Sequence, residues 1–253
     1  MQSIATVYFL TLRSLREAVR NPAQEAGNVL IPLFFFAVTV GSIGSIAADA
    51  FGIDNFTGFQ VPVAILAAAS SISASAGLGT ITDIQRGYFD KLLLTPAPRS
   101  AIVFGRIAAD GVRTVAITAF IVGVGLIFGT GFDTGVPGLL VLLVGSFGFG
   151  MAYSGFNAAI ALRTGSPQAA AAGGLLLFPL IFLSTAFAPK DVFADWLEVL
   201  ATINPITYVL EAQRSLIIEG WNGFDILWGA TATLGFSVAS FTLTFLALRW
   251  RTS

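Results

Sequence analysis

The stretch TGVPGLLVLLVGSFGFGMAYSGFNAAIAL, residues 134–162, runs for 29 residues without one charged side chain. A helix crosses a hydrocarbon core of about 30 Å with roughly 20 apolar residues, so this run is long enough to span a bilayer. Five more uncharged runs lie outward from it, at 26–48, 55–82, 114–132, 164–189 and 226–248, with lengths of 23, 28, 19, 26 and 23 residues. Another run, 199–210, has only 12 residues and contains Asn204 and Pro205. It is too short to span and suits an interfacial or re-entrant segment. Period-two alternation is absent, which argues against a β-barrel. The fold class expected is all-α: a polytopic integral membrane protein with six transmembrane helices in a single transmembrane domain, 1–253.

Composition points the same way. Hydrophobic residues make up 55% of the chain and charged residues 11%, whereas a water-wetted domain carries about 25% charge. Several chemistries are excluded at once. With no His and no Cys there is no Ser-His-Asp triad, no thiol nucleophile and no His/Cys metal site. A net charge of −1 leaves no electrostatic footprint for nucleic acid. A P-loop needs Gly-Lys followed by Ser or Thr, but Lys91 precedes Leu92 and Lys190 precedes Asp191. No ATPase activity is expected of this chain, and no catalytic residue.

Basic residues set the orientation. With six spans both termini share a side, and placing them inside puts eleven of the thirteen basic residues in the cytoplasm, leaving Lys190 and Arg214 outside. The positive-inside rule then makes both termini cytoplasmic.

Three segments are not spans. In 1–25, Arg13, Arg16 and Arg20 fall within about 60° of one another at helical spacing, with Ile4, Tyr8, Leu12, Leu15 and Val19 opposite. That pattern suits a helix lying in the membrane interface and ending at Asn21-Pro22. In the cytoplasmic connection 83–113, Arg86 and Asp90, and again Arg106 and Asp110, are i,i+4 neighbours suited to helical ion pairs. Ile84, Tyr88, Phe89, Leu92, Leu93 and Leu94 form an apolar cluster there that needs headgroups, neighbouring helices or a partner protein to cover it. The external segment 188–225 reads as two short helices broken at Asn204-Pro205, with Trp196, Tyr208 and Trp221 as interfacial anchors. Glu211 and Arg214 stand at i,i+3 within it and are expected to pair.

Inside the spans, serines and glycines at close spacing allow helices to approach one another. The alternative is a path for an amphiphile lined by Ser71, Ser75, Phe149, Tyr153 and Asn157. No ionisable residue is expected in the middle of a span, which argues against a proton-coupled antiporter or a channel.

Two stretches carry a family resemblance. One is Asp83…Gly87-x-Phe89-Asp90-Lys91…Pro96-x-x-Arg99…Gly105-Arg106…Asp110…Arg113. The other is Phe182-x-Ser184-x-Ala186-Phe187, followed by Asn204-Pro205-Ile206-Thr207 and Glu211-x-x-Arg214. Together with the six spans they resemble the type-2 ABC exporter permeases, in particular the daunorubicin-resistance permease subfamily. The resemblance implies a permease of a bacterial inner (plasma) membrane, moving a drug-like or lipid-like amphiphile outward. It also implies a separate ATPase subunit that binds ATP and Mg, and a second permease copy, identical or related. Arg86, Gly87, Phe89, Asp90, Lys91, Leu92, Pro96 and Arg99 would then couple to that ATPase. Glycan or peptide export uses the same frame, and a secondary transporter or a membrane scaffold are the rival classes.

Overall fold

The computed structural model describes residues 2–87, 91, 94 and 98–252. In chain order the helices are α1 (Gln2–Arg20), α2 (Pro22–Phe51), α3 (Phe56–Gln85), α4 (Arg99–Ile127) and α5 (Gly135–Thr164). Two short helices follow, α6 (Pro167–Leu175) and α7 (Leu177–Phe182), and then a 3-10 turn at Lys190–Val192. The chain closes with α8 (Asp195–Ile203), α9 (Pro205–Arg214), a π-type turn at Ser215–Glu219, and α10 (Gly223–Thr252). No strand occurs among the described residues.

The sequence places the helix starts. Pro22 and Pro205 stand at first helical positions, where a missing N–H costs nothing. The Asn55 side chain accepts from Gly58 N at 2.9 Å, and that of Asn204 accepts from Ile206 N at 3.0 Å, so each caps the helix it precedes. Gly165 ends α5 in the left-handed region, φ 59°, which glycine adopts without a Cβ clash.

Among the described residues, five stretches are long and apolar enough to cross a membrane: Pro22–Ala47, Phe56–Gln85, Ser100–Ile127, Gly135–Thr164 and Gly223–Trp250. The fifth expected span is shorter, an apolar stretch at Pro167–Phe182 divided between α6 and α7. At 1.5 Å per residue it rises about 24 Å, less than the ~30 Å core. Pro179 withholds an N–H there, and the chain turns after Phe182.

Burial follows the logic of a bilayer. Gln60, Ser70, Ser73, Thr118, Ser154 and Asn157 are buried, while Leu30, Ile31, Phe34 and Phe35 of α2, Val144 of α5 and Leu234 and Val238 of α10 are exposed. Polar groups turned inside and hydrocarbon presented outside is the arrangement that lipid demands. Helix α5 runs through the middle, packed along α3, α4 and α10, whereas α2 leans chiefly on α3.

Helix α1 and the last turns of α10 meet at one end of the bundle, the terminal end. Leu10, Ile102, Val103, Leu162, Ala247 and Leu248 share a cluster there, and the Arg163 guanidinium sits 5.1 Å from the Trp250 ring. At the opposite, distal end the Asn55 amide donates to Thr130 O, and Asp133 N donates to Ile217 O at 3.0 Å.

One expectation is corrected. The third span begins at Ser100 rather than 114, so Arg106, Asp110 and Arg113 lie on a membrane-length helix. Asp110, about 16 Å along α4 from its start, is 2% exposed. The expectation of spans free of ionisable residues therefore fails. The helix tolerates these charges because they face the bundle, Arg113 paired with Asp110 and Arg106 with Asp83.

Candidate functional site

At the terminal end two ion clusters knit five helices together. Asp83, in the last turn of α3, accepts from Arg106 of α4 at 2.8 Å and lies 3.6 Å from Arg13 of α1. Gly79 makes room for this: a Cβ at that position would collide with the Arg106 guanidinium. Deeper in, Arg113 pairs with Asp110 at 2.8 Å and with Glu25 of α2. The Ser154 hydroxyl of α5 donates to Asp110 as well. The expected i,i+4 pair Arg106–Asp110 is therefore replaced, because each side chain finds a better-placed partner across a helix contact or one turn away. A polar cleft of about 330 Å³ opens between the α1–α2 elbow and α3 and α4, reaching Ser75, Asp110 and Arg113.

Of the residues expected to couple to a partner, Phe89, Asp90, Leu92 and Pro96 lie outside the described residues, and so does the expected Arg86–Asp90 pair. Arg86 and Lys91 are exposed, and Arg99 opens α4. Gly87 follows the end of α3 with φ 67°. Leu94 is 88% exposed, while Ile84 packs against the terminal-end cluster. On α1, Arg16 and Arg20 are exposed and Arg13 joins the Asp83 cluster. Tyr8 and Val19 face outward. The side of α1 that meets α4 is formed instead by Val7, Leu10 and Thr11, with the Thr11 hydroxyl donating to Gly105 O at 2.9 Å.

The residues considered for a substrate path divide. Phe149, Tyr153 and Asn157 come together in the interior, none more than 2% exposed. The Tyr153 hydroxyl donates to Gly173 O at 2.8 Å and accepts from Leu177 N at 3.0 Å, and Asn157 Nδ2 donates to Ser73 Oγ at 2.7 Å. They pin α5 to α6, α7 and α3. Ser71 lines an apolar groove of about 80 Å³ with Ile31, Phe35, Gln60 and Phe178. Ser75 instead opens on the terminal-end cleft, 3.0 Å from the Asn28 side chain.

At the distal end the Asn204 amide donates to Leu183 O at 3.1 Å and also to Leu180 O, while Pro205 starts α9. These bonds tie the α8–α9 break to the end of α7. Trp196 and Trp221 are exposed, and the Tyr208 hydroxyl donates to Thr202 O at 2.7 Å. The expected Glu211–Arg214 pair does not form. Glu211 instead meets Lys190 at 3.2 Å. Arg214 is buried, donating from Nε to Phe59 O at 3.1 Å and from Nη2 to Ala186 O at 3.2 Å, with the Phe59 ring 3.4 Å from its Cζ. Burial pushes this guanidinium down to about 9, against the pull of Glu211 and Glu219, so it stays charged at neutral pH. A cleft of about 560 Å³ opens over it.

Sequence reasoning missed Glu25, Gln60 and Thr185. Glu25 stood as a flank of the first run, and nothing in its spacing points to Arg113, 88 residues away. Gln60 donates to Ala186 O at 3.1 Å. An uncharged amide inside an apolar run was the one signal that could have revealed it.

The family profile described as ABC-2 type transporter matches residues 6–218. Daunorubicin resistance ABC transporter permease protein DrrB1 of Streptomyces coeruleorubidus is 27% identical over 225 residues, 87% of this chain and 78% of that protein. Probable doxorubicin resistance ABC transporter permease protein DrrC of Mycobacterium tuberculosis is 24% identical over 220 residues, 86% of this chain and 78% of its own. Putative transport permease ycf38 of Cyanophora paradoxa is 26% identical over 220 residues, 84% of this chain and 74% of its own.

Proposed function

The chain belongs to the ABC-2 type transporter family, and from that premise we propose that it is the membrane half of an exporter that carries an amphiphile outward on energy from a separate ATPase subunit. Likeness to permeases named for daunorubicin and doxorubicin resistance along 86–87% of the chain supports export of a drug-like or lipid-like molecule. The same family supports an assembly of two permeases, identical or related, with two ATPases that bind ATP and Mg. It also supports a bacterial inner membrane with both termini in the cytoplasm, where eleven of thirteen basic residues then lie.

One observation carries the mechanism. Asp83 and Arg106 stand on either side of the 84–105 connection and are joined at 2.8 Å, and Arg13 ties α1 to the same carboxylate. A push on that connection is therefore delivered to α1, α3 and α4 together. ATP would act by favouring one arrangement of these helices over another, and the exposed apolar side chain of Leu94 offers a surface for the ATPase to grip.

Replacing Phe89 and Leu92 with Asp should abolish co-purification with the ATPase subunit and leave membrane insertion intact. Unchanged co-purification would count against the coupling role. A second reading, secondary transport, is favoured by Asp110, a buried carboxyl on a membrane-length helix. Its double engagement by Arg113 and Ser154 fits a fixed latch better than a proton carrier. Transport that survives ATP depletion and collapses with an uncoupler would reverse that preference.

A further inference from the structure

We propose that the distal-end cleft is a binding site for the acidic head group, phosphate or carboxylate, of an amphiphile, held by Arg214 and Thr185. Arg214 is 3% exposed and lines the cleft. A guanidinium carries five N–H donors, and among the described residues only Nε and Nη2 find acceptors, both of them backbone carbonyls. Among the described residues no carboxylate lies within 4.0 Å of it. The carbonyls and the Phe59 ring offset part of the cost of burying this charge, but a buried cation with no carboxylate in contact is the uncommon case.

Thr185 supplies an independent observation. It is 2% exposed, its hydroxyl has no hydrogen-bond partner among the described residues, and it lines the same cleft. A buried hydroxyl and a guanidinium with no carboxylate in contact ask for the same thing, an anionic oxygen. A phosphate or carboxylate meets both with charge-assisted hydrogen bonds. Phe51, Ile53, Phe59 and Ile218 also line the cleft and provide an apolar wall for the chain behind the head group.

Asp54, Asp191, Glu211 and Glu219 line the cleft too, and their charge opposes such a ligand without outweighing Arg214. Glu211 is held by Lys190 at 3.2 Å. The other three are exposed, where the high dielectric of water weakens their repulsion. The buried charge of Arg214 is not screened in this way, so at contact range it prevails.

The test uses the whole protein in phosphatidylcholine nanodiscs titrated with radiolabelled dodecyl phosphate, with empty discs as the partition background. Saturable binding is expected, competed by dodecanoate and untouched by dodecyltrimethylammonium. Thr185→Val keeps the side-chain shape and removes only the hydroxyl; it should weaken binding roughly threefold with thermal stability kept or raised. Arg214→Gln should weaken it about tenfold or more, and Asp54→Asn should tighten it about twofold.

A purely structural role for these residues predicts wild-type binding in Thr185→Val and Asp54→Asn, and that result overturns the proposal. Equal competition by the cation overturns it as well. Where Arg214→Gln fails to insert, the other two variants decide between the two roles. Phosphatidylglycerol in the disc separates the sources: competition makes a membrane lipid the occupant, and its absence makes it a free amphiphile. Both results support an acidic head group. The measurement needs neither ATP nor a partner, so its failure leaves the exporter reading standing, and loss of that reading leaves the site standing.

Discussion

Arg113 holds two carboxylates at once, Glu25 on α2 and Asp110 one turn back on its own helix. Its side chain is 13% exposed and that of Asp110 3%, so neither charge can turn to water when the other is lost. Removing one member of such a pair strands the remaining charge and costs about 3–5 kcal/mol. Arg113→Leu should accordingly lower the melting temperature in detergent sharply. Adding Asp110→Asn should recover much of the loss, since the amide keeps an oxygen for the Ser154 hydroxyl and carries no charge. A double variant as unstable as the sum of the two single ones would show that the residues act independently.

The joint between α1 and α4 is close because Gly105 has no side chain. A Cβ there would stand 2.6 Å from Leu10 Cβ and 3.2 Å from Val7 O. That glycine lets α1 lie on α4 and lets Arg13 reach Asp83. Gly105→Leu should lift α1 away while the membrane-length helices stay inserted. The expected readout is faster proteolysis within α1, with unchanged yield of folded protein and unchanged membrane fractionation. Protection equal to wild type would show that α1 is held by other contacts. Small residues do similar work in α6, where Gly174 lies against Ala74 of α3 and accepts from the Ser70 hydroxyl. This approach is one reason the short stretch beds into the bundle.

For the molecule as a whole, orientation is the property most open to direct measurement. The chain has no cysteine, so single-cysteine variants give an unambiguous label. Arg86→Cys should react with a membrane-impermeant maleimide only after the cytoplasmic face is opened, and Asn222→Cys should react in intact cells. The reverse pattern would invert the topology and place the Arg214 cleft on the inside.

Much of this architecture was legible in the amino-acid sequence, because a bilayer tests local sums. About 20 uncharged residues in a row satisfy the hydrocarbon core wherever they occur, and Asn204-Pro205 stops a helix through its own chemistry. The helices α1, α2, α3, α5, α8, α9 and α10 were visible in that way. The start of α4 was not, since whether Arg106, Asp110 and Arg113 can sit on a membrane-length helix depends on partners elsewhere in the chain. Asp83 lies 23 residues from Arg106, and Glu25 lies 88 residues from Arg113. Glu211 likewise passes over Arg214, three residues away, for Lys190 at 3.2 Å, leaving the arginine on carbonyls beside an unsatisfied Thr185. Hydropathy accumulates along the chain and is therefore written in it. A charge in a low-dielectric interior is stabilised by whichever group lies within a few ångströms, and folding alone brings those groups together.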